Sequence, residues 1–255
     1  MQADASTAEP RIQVSDLTVA YGDFVIMRDL NFTVKQGDIF IIMGGSGCGK
    51  STLLRVLVGL KEPARGTVTY RQGSLWDVDD EKRSAILRRT GVLFQSGALF
   101  SSMTLAENIS LPLQQYTSLP PKDIRELASL KLALVGLSGF EDFYPSEISG
   151  GMCKRAGLAR AMALDPDILF FDEPSAGLDP VSAHLLDELI LELRDSLKAT
   201  FVVVTHELAS IFDIGSNSVY LDVETRTMTA SGNPTTLLET TTDPLLRRFL
   251  TRGKE

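Results

Sequence analysis

A glycine-rich segment directly follows a short apolar run near the start of this chain. Residues 39–44 read IFIIMG and predict a buried strand, and residues 44–52 read GGSGCGKST and lead into a predicted helix. Glycines let backbone N–H groups turn towards phosphate oxygens, while a helix N-terminus and a lysine add positive charge. The alternative is a glycine-rich turn without a ligand, but the flanking strand and helix favour a nucleotide-phosphate site.

The predicted site has a defined set of residues. The candidate nucleotide-binding positions are Gly44, Gly45, Ser46, Gly47, Cys48, Gly49, Lys50, Ser51 and Thr52. Within this set the Lys50 ammonium supplies a point charge, and the Ser51 hydroxyl can bind Mg²⁺. The segment therefore predicts a site for a nucleotide together with its metal ion.

A pair of carboxylates follows a second apolar run. Residues 168–171 read ILFF and deliver Asp172 and Glu173 to the carboxyl edge of a predicted parallel sheet, where α/β proteins bind ligands. We assign Asp172 to Mg²⁺ and Glu173 to the general base that orients and deprotonates a water. The alternative is a solvated turn, but SAGLDP and VVVTH place Asp179 and His206 at neighbouring strand ends. We expect these four polar groups to converge on one edge.

Composition limits the class of protein. The chain has 255 residues, 44% of them hydrophobic and 23% charged, which suits one large domain or two small ones with a sizeable core. A net charge of −8 argues against a nucleic-acid partner. Two cysteines suggest a reducing compartment, and the start of the chain carries neither a signal peptide nor a transit peptide. Its apolar runs are too short to span a bilayer.

The order of predicted elements indicates an α/β fold. Residues 11–36 predict an antiparallel β layer, and 66–70 and 91–95 are expected to continue the core sheet, with further strands at 167–173, 200–206 and 217–223. Strands that alternate with helices imply a mostly parallel sheet. We predict one domain over 1–255, with a nucleotide-binding core at 10–95 and 161–240, an inserted helical subdomain at 96–160, and a C-terminal helix and tail at 241–255.

Two longer motifs make a family resemblance specific. The segment YPSEISGGM at 144–152 resembles the signature of ABC ATPases, and RAGLARAMALDPDILFFDEPSAGLDP at 155–180 resembles the block that follows it. The resemblance implies an ABC-type P-loop NTPase fold and Mg²⁺-dependent ATP hydrolysis. It also implies roles for Gln95 in catalysis and metal binding, Asp179 in the D-loop, His206 as the switch histidine and Tyr21 in adenine stacking. For Tyr21 the alternative is a half-buried strand residue.

The signature predicts a second anion-binding helix start, formed by Ser149, Gly150 and Gly151. The resemblance implies a head-to-tail homodimer in which these residues and Asp179 complete the neighbour's ATP site. Met152 stands where the family usually has Gln, so the capping box is lost and we expect a looser turn with phosphate binding intact. In such a dimer Cys48 would face the partner's Cys153, which raises the hypothesis of a crosslink.

Other segments bear on the partners. FQSGALF at 94–100, the SGGM variant and DPLLRRFL at 243–250 resemble the ATPases of MCE-type lipid transporters such as the Mla system. The resemblance implies an integral membrane permease, which is expected to contact 96–113, an MCE-type lipid-binding protein, room for a small regulatory protein, and a place on the cytoplasmic face of the bacterial inner membrane. Only TRGKE follows, so no interlocking tail is expected.

Alternative functions are an ABC importer ATPase for another small solute and a non-transport ABC ATPase. A regulatory binding module would lack the base or the histidine. The chain has no heptad repeats and no second phosphate loop, which disfavours the DNA-organising and translation-factor classes.

Overall fold

The computed structural model describes residues 9–253. In chain order the strands are β1 (Pro10–Tyr21), β2 (Phe24–Lys35), β3 (Ile39–Gly44), β4 (Arg65–Tyr70), β5 (Gly73–Ser74), β6 (Thr90–Leu93), β7 (Ile168–Asp172), β8 (Thr200–Val204), β9 (Asn217–Asp222) and β10 (Thr227–Gly232). The helices are α1 (Lys50–Leu57), α2 (Asp80–Leu87), α3 (Leu105–Tyr116), α4 (Pro121–Leu134), α5 (Gly150–Ala161), α6 (Pro180–Leu197), α7 (Leu208–Ile214), α8 (Pro234–Thr240) and α9 (Pro244–Leu250). None of the helices in this part of the chain is both long and apolar enough to cross a bilayer.

The strands form two sheets. A six-stranded sheet has the order β10-β9-β3-β8-β7-β6, in which only β10 is antiparallel to its neighbour. All six residues of β3 are buried, and their side chains alternate between two cores. Ile39, Ile41 and Met43 face the core beneath the helices α3 to α7, whereas Phe40 and Ile42 face α1 and the second sheet. A strand buried on both faces needs an unbroken apolar run, as its sequence shows.

The second sheet is antiparallel and has the order β2-β1-β4-β5. The expectation that residues 66–70 continue the core sheet was wrong, because β4 pairs with β1 here, with Val14 opposite Val68. The reason lies in its pattern: Val68 and Tyr70 are buried, while the residues between and before them are partly or fully exposed. Such alternation is typical of a strand with one solvent-exposed face, and not of a central parallel strand, which is buried on both faces.

The region predicted as a helical subdomain, 96–160, contains α3, α4 and all but the last residue of α5, and these helices pack on one another. The helix α3 begins at a capping box formed by Thr104 and Glu107. The helix α5 lies close to β6 and the loop after it: a Cβ at Gly157 would come within 2.9 Å of Leu93 Cδ1 and 3.0 Å of Gly97 O. The Arg160 guanidinium donates to Ala98 O at 2.7 Å and to Gly97 O at 3.1 Å. The loop after β6 is therefore held directly against α5.

Two elements near the C-terminus were not predicted. The strand β10 has the polar sequence TMTASG and no residue of it is fully buried, so it lacks the apolar run of the other core strands. It is an edge strand that pairs only with β9. The helix α8 begins at Asn233, whose side chain accepts hydrogen bonds from Thr235 N and Thr236 N. Edge position and capping, and not hydrophobicity, define both elements.

The helices α6 and α7 are joined through a buried carboxyl group. Asp187 is 4% exposed; its Oδ2 accepts from Ser210 Oγ at 2.7 Å, and its Oδ1 has no hydrogen-bond partner. Burial raises the pKa of Asp187 to about 6, opposed by the Ser210 hydrogen bond and His184, and assisted by the charge of Asp213. The charged form of this aspartate is therefore destabilised in the folded protein.

This pKa predicts how stability depends on pH. An unfolded aspartate titrates near pH 3.9, so the favourable contribution of protonated Asp187 is complete below that value and is lost as the pH rises through about 6. Above pH 7 the ionised group destabilises the fold by up to about 3 kcal/mol. Asp187→Asn should raise the free energy of unfolding, by about 1 kcal/mol more at pH 8 than at pH 5, in urea titrations. An equal gain at both pH values, or the same gain in the exposed-site control Asp195→Asn, would contradict the assignment.

Candidate nucleotide site

The loop between β3 and α1 requires glycine at two positions. Gly44 has φ 154°, and a Cβ there would lie 2.5 Å from Leu221 O. Gly49 has φ 99°, and its Cβ would lie 2.5 Å from Ile26 Cγ2. Both residues adopt backbone conformations that L side chains rarely occupy, beside neighbours that leave no room for one. The loop shape on which phosphate binding depends is thus encoded by these glycines.

The start of α1 presents its N–H groups without a competing side chain. Gly49 is the N-cap residue, and no side chain accepts a hydrogen bond at this end. Lys50 is 7% exposed and curls back over the loop, where its Nζ donates to Gly44 O at 2.9 Å and Gly45 O at 3.0 Å. Open N–H groups and an ammonium are groups that bind phosphate oxygens in proteins.

Two of the three groups predicted to hold Mg²⁺ are in direct contact. Ser51 Oγ donates to Asp172 Oδ1 at 3.0 Å. Burial raises the pKa of Asp172, the Ser51 hydrogen bond lowers it, and the Glu173 charge raises it again. Within residues 9–253 no three His, Cys, Asp or Glu side chains form a metal cluster, so an ion here would take its remaining ligands from phosphate and water, as Mg²⁺ commonly does. The oxygen pair fits such an ion.

Glu173 and His206 form the second pair at this edge. Glu173 Oε1 lies 2.8 Å from His206 Nδ1, while Oε2 is buried and has no partner. Glu173 also has φ 48°, which costs roughly 1–3 kcal/mol for a residue with a side chain. Its backbone N–H donates to Val204 O at 2.8 Å, which holds this conformation in place. The pair is therefore held in one orientation, with one carboxylate oxygen left unsatisfied.

Asp179 does not join this group. Its carboxylate caps α6 by accepting from Val181 N at 3.1 Å and Ser182 N at 3.0 Å. Hydrogen bonds from Ser182 and Val181 lower the pKa of Asp179. The prediction that four polar groups converge was too broad, because Asp179 lies beyond a turn and acts first as a helix cap. Gln95 is exposed and, among the described residues, makes no hydrogen bond to Ser51 or Asp172.

Sequence reasoning missed Lys154. This lysine of α5 is 7% exposed, and its Nζ donates to Ala176 O at 2.9 Å and Glu173 O at 3.3 Å. Burial lowers the pKa of Lys154, and the charge of Glu173 opposes that shift. The only sequence signal was a lysine within the first turns of a helix that packs on the core. Its partners lie too far along the chain to be inferred from spacing.

The signature turn forms as predicted. Ser149 is the N-cap of α5, and its Oγ accepts from Met152 N at 3.3 Å. Gly150 and Gly151 form the first turn of the helix, and the Met152 side chain packs against the core in place of a capping-box partner. The open N–H groups of this turn therefore remain available to an anion.

Tyr21 ends β1 and is half exposed, so it occupies a surface position near α1. Lys61 Nζ lies 4.1 Å from its ring centroid, and Arg55 Nη1 donates to its hydroxyl at 3.4 Å. One ring face is thus covered by a cation in this structure. Adenine stacking on Tyr21 stays a prediction, and it would use the other face or displace Lys61.

The crosslink hypothesis finds no support in the positions of the thiols. Cys48 is buried in the core beneath the loop, with its Sγ directed towards Gly44. Cys153 is partly buried, and its Sγ donates to Pro145 O at 3.3 Å. Burial raises the pKa of both thiols. A disulfide needs Cα atoms within about 7 Å, and a thiol that faces its own core does not offer that approach to a partner.

Comparison with known proteins agrees with this geometry. The model of the ABC transporter family matches residues 27–176. The chain belongs to the ABC transporter family. It is 37% identical over 239 residues to the intermembrane phospholipid transport system ATP-binding protein MlaF of Escherichia coli K12, covering 94% of this chain and 88% of that protein. It is 40% identical over 239 residues to the probable ribonucleotide transport ATP-binding protein mkl of Mycobacterium tuberculosis H37Rv, covering 94% of this chain.

The chain spans 66% of the length of that mycobacterial relative. Among solved structures, the dimeric bacterial ABC transporter cassette MJ0796 is 29% identical, with a TM-score of 0.78, covering 86% of this chain and 97% of that one. The dimer of the same cassette in a post-hydrolysis state, bound to ADP and Pi, matches with a TM-score of 0.76 and 28% identity, over 86% of this chain and 97% of that one. The predicted α/β cassette fold is therefore confirmed.

The structure predicts a mild effect of restoring the usual signature residue. In Met152→Gln the backbone N–H of residue 152 can still donate to Ser149 Oγ. Nucleotide turnover should therefore stay within about threefold of the wild type. Ser149→Ala, the matched control, removes the capping oxygen and should lower turnover more. Steady-state phosphate release measures both. A hundredfold loss in Met152→Gln would show a specific role for the methionine.

Proposed function

We propose that this chain is the ATP-hydrolysing subunit of an ABC transporter that moves lipid through a separate permease. The observation that carries the proposal is the Glu173–His206 pair, 2.8 Å apart, at the same sheet edge as the Lys50 loop and the Ser51–Asp172 contact. These groups supply what phosphoryl transfer to water needs: anion binding, metal binding and a positioned base.

In the proposed mechanism, the Lys50 ammonium and the N–H groups of the loop and α1 bind the terminal phosphates of ATP. Ser51, Asp172 and Gln95 would hold Mg²⁺, which would supply positive charge against the phosphates. Glu173 accepts a proton from water as the water oxygen attacks the γ-phosphorus, and ADP leaves. His206 fixes the carboxylate of Glu173 and contacts the γ-phosphate. The bond from Glu173 N to Val204 O holds the strained backbone and so keeps the base in one orientation.

The proposed active form is a homodimer. Within one chain the anion-binding turn at Ser149–Gly151 and the Lys50 loop begin two different helices, α5 and α1. In the dimer, Ser149, Gly151 and Asp179 of one copy complete the nucleotide site of the other. The similarity to a dimeric cassette over 86% of this chain supports this arrangement.

Glu173→Gln tests hydrolysis and dimerisation together. The amide keeps the shape of the carboxylate but cannot take a proton from water, so turnover should fall by about a hundredfold or more. The variant should bind ATP with Mg²⁺ and accumulate as a closed dimer. Light scattering in the presence of its permease measures this dimer. Lys50→Ala in the same background is the control, since it removes phosphate binding and should abolish dimerisation. Near-normal turnover in Glu173→Gln would remove Glu173 as the base.

A surface cleft next to the helical region supports a permease partner. A cavity of about 530 Å³ lies between α2, α3 and the loop after β6, and Leu87, Phe100, Leu111 and Tyr116 line it. Phe100 and Tyr116 are about half exposed, and the Arg88 guanidinium carbon lies 5.1 Å from the Tyr116 ring centroid. Exposed aromatic surface of this kind suits the insertion of a short helix. We assign it to the permease, which would hold this chain at the cytoplasmic face of the inner membrane.

The relatives name different cargoes. Proteins of similar identity to this chain are named for phospholipid and for ribonucleotide transport. FQSGALF, the SGGM signature and DPLLRRFL favour the lipid system, as does the 88% coverage of MlaF. The proposed partners are the permease, an MCE-type lipid-binding protein and a small regulatory protein, without nucleic acid. An importer for another small solute and a non-transport ATPase are the competing functions.

Reconstitution distinguishes the cargoes. The full chain with its permease and MCE-type partner should carry bound phospholipid on purification and should transfer fluorescent phospholipid between the partner and vesicles when ATP is added. The same complex with Glu173→Gln should bind lipid without ATP-dependent transfer. ATP-driven uptake of a ribonucleotide, with no lipid bound or moved, would replace lipid with the alternative cargo. Normal turnover by the chain without any membrane partner would favour a non-transport ATPase.

A further inference from the structure

Lys154 connects two segments of the chain that lie far apart in the sequence. It lies on α5, whose first turn is the signature, yet its Nζ donates to the carbonyls of Glu173 and Ala176. In the proposed dimer the signature serves the partner's nucleotide, while Glu173 serves the nucleotide of its own chain. Lys154 is thus a direct bond between parts that belong to two different sites.

The turn that Lys154 contacts contains two residues with positive φ. Glu173 has φ 48° and Gly177 has φ 78°, so the backbone reverses within a few residues. Within the turn, Ala176 N donates to Glu173 O at 3.1 Å, and Leu178 N donates to Ser175 O at 3.1 Å. The Lys154 ammonium adds charge-assisted bonds to two carbonyls of this turn, and such bonds are stronger than neutral ones. Without them the strained backbone at Glu173 rests on the two bonds within the turn and on the bond from Glu173 N to Val204 O.

A buried ammonium normally requires compensation from hydrogen bonds or an opposite charge. Here two backbone carbonyls accept from Nζ, and the carboxylate of Glu173 attracts the ammonium. Among the described residues Nζ makes no hydrogen bond or ion pair with the side chain of Glu173 or His206, so Lys154 is bonded to the backbone beside the reacting groups and not to the groups themselves. Its effect on the reaction passes through the backbone of Glu173, to which it is bonded, and through the charge that it places near the carboxylate.

We propose, on the basis of the function above, that Lys154 is a positioning residue that fixes the Glu173–Ala176 turn to the signature helix and so aligns the general base. A displacement of α5 during closure on the partner's nucleotide then moves the base of its own site. The step of phosphoryl transfer is unchanged, and Lys154 neither donates nor accepts its proton.

Lys131 offers a matched control. It is also a buried lysine of the helical region, 4% exposed, and it lies on α4. Its Nζ bonds to Asp165 Oδ1, in the loop before β7 and away from the Glu173 turn. Lys154→Met and Lys131→Met therefore remove the same charge and the same hydrogen-bonding group from comparable burial, and only the first loosens the turn.

The test measures kcat and KM for ATP in the full chain in complex with its permease, together with thermal unfolding of each variant. Lys154→Met should lower kcat by about tenfold or more, because small misplacements of a catalytic group are costly, while KM stays within about threefold. Lys154→Arg, which keeps the charge and donors, should recover part of kcat. Lys131→Met should lose stability but keep kcat within about twofold. If Lys154→Met does not fold, Lys154→Gln and Lys154→Arg carry the same comparison.

Three results would overturn the inference. They are a kcat in the Lys154 variants within twofold of the wild type, a loss of kcat in Lys131→Met as large as that in Lys154→Met, and a change confined to KM. An inactive wild-type chain in complex with its permease would instead overturn the proposed function on which the inference rests. The two failures are therefore distinguishable by the wild-type measurement alone.

Discussion

The register of the central parallel strands is the constraint on which the site depends. Val204 of β8 pairs with Ile42 of β3 on one side and with Asp172 of β7 on the other. Because the three strands end at the same level, the loop after β3, the acidic pair after β7 and the histidine after β8 emerge side by side. A slip of one residue in any strand would turn its apolar side chains to the wrong core and separate these groups.

The site concentrates features that are unfavourable for stability. Lys50 and Lys154 bury their ammonium groups, Glu173 combines a left-handed backbone with an unpartnered oxygen, and Asp172 loses water. The surrounding fold compensates with strands whose two faces are both buried in apolar cores. Each large apolar side chain there contributes about 2 kcal/mol. Polar groups held away from water in this way do not need to reorganise when a substrate arrives.

The sequence predicted best where a motif and its partner lie close along the chain. The strand before the phosphate loop, the two carboxylates and the signature cap are local patterns, and the structure contains them. The pattern placed His206 at a neighbouring strand end, the family resemblance gave its role, and its bond to Glu173 follows from strand order. The sheet to which β4 belongs, the edge strand β10 and the bonds of Lys154 depend on tertiary neighbours. No window of sequence contains that information.

The tight packing at Gly157 has a mechanical consequence. At Gly157 no side chain separates α5 from the loop after β6, and Arg160 binds two carbonyls of that loop. The contact therefore leaves no free space in which the loop could move relative to the helix. The same helix begins at the signature turn and bears Lys154. A displacement of the loop is therefore transmitted along the rigid helix α5. It reaches the signature turn and Lys154 without being absorbed by movable side chains.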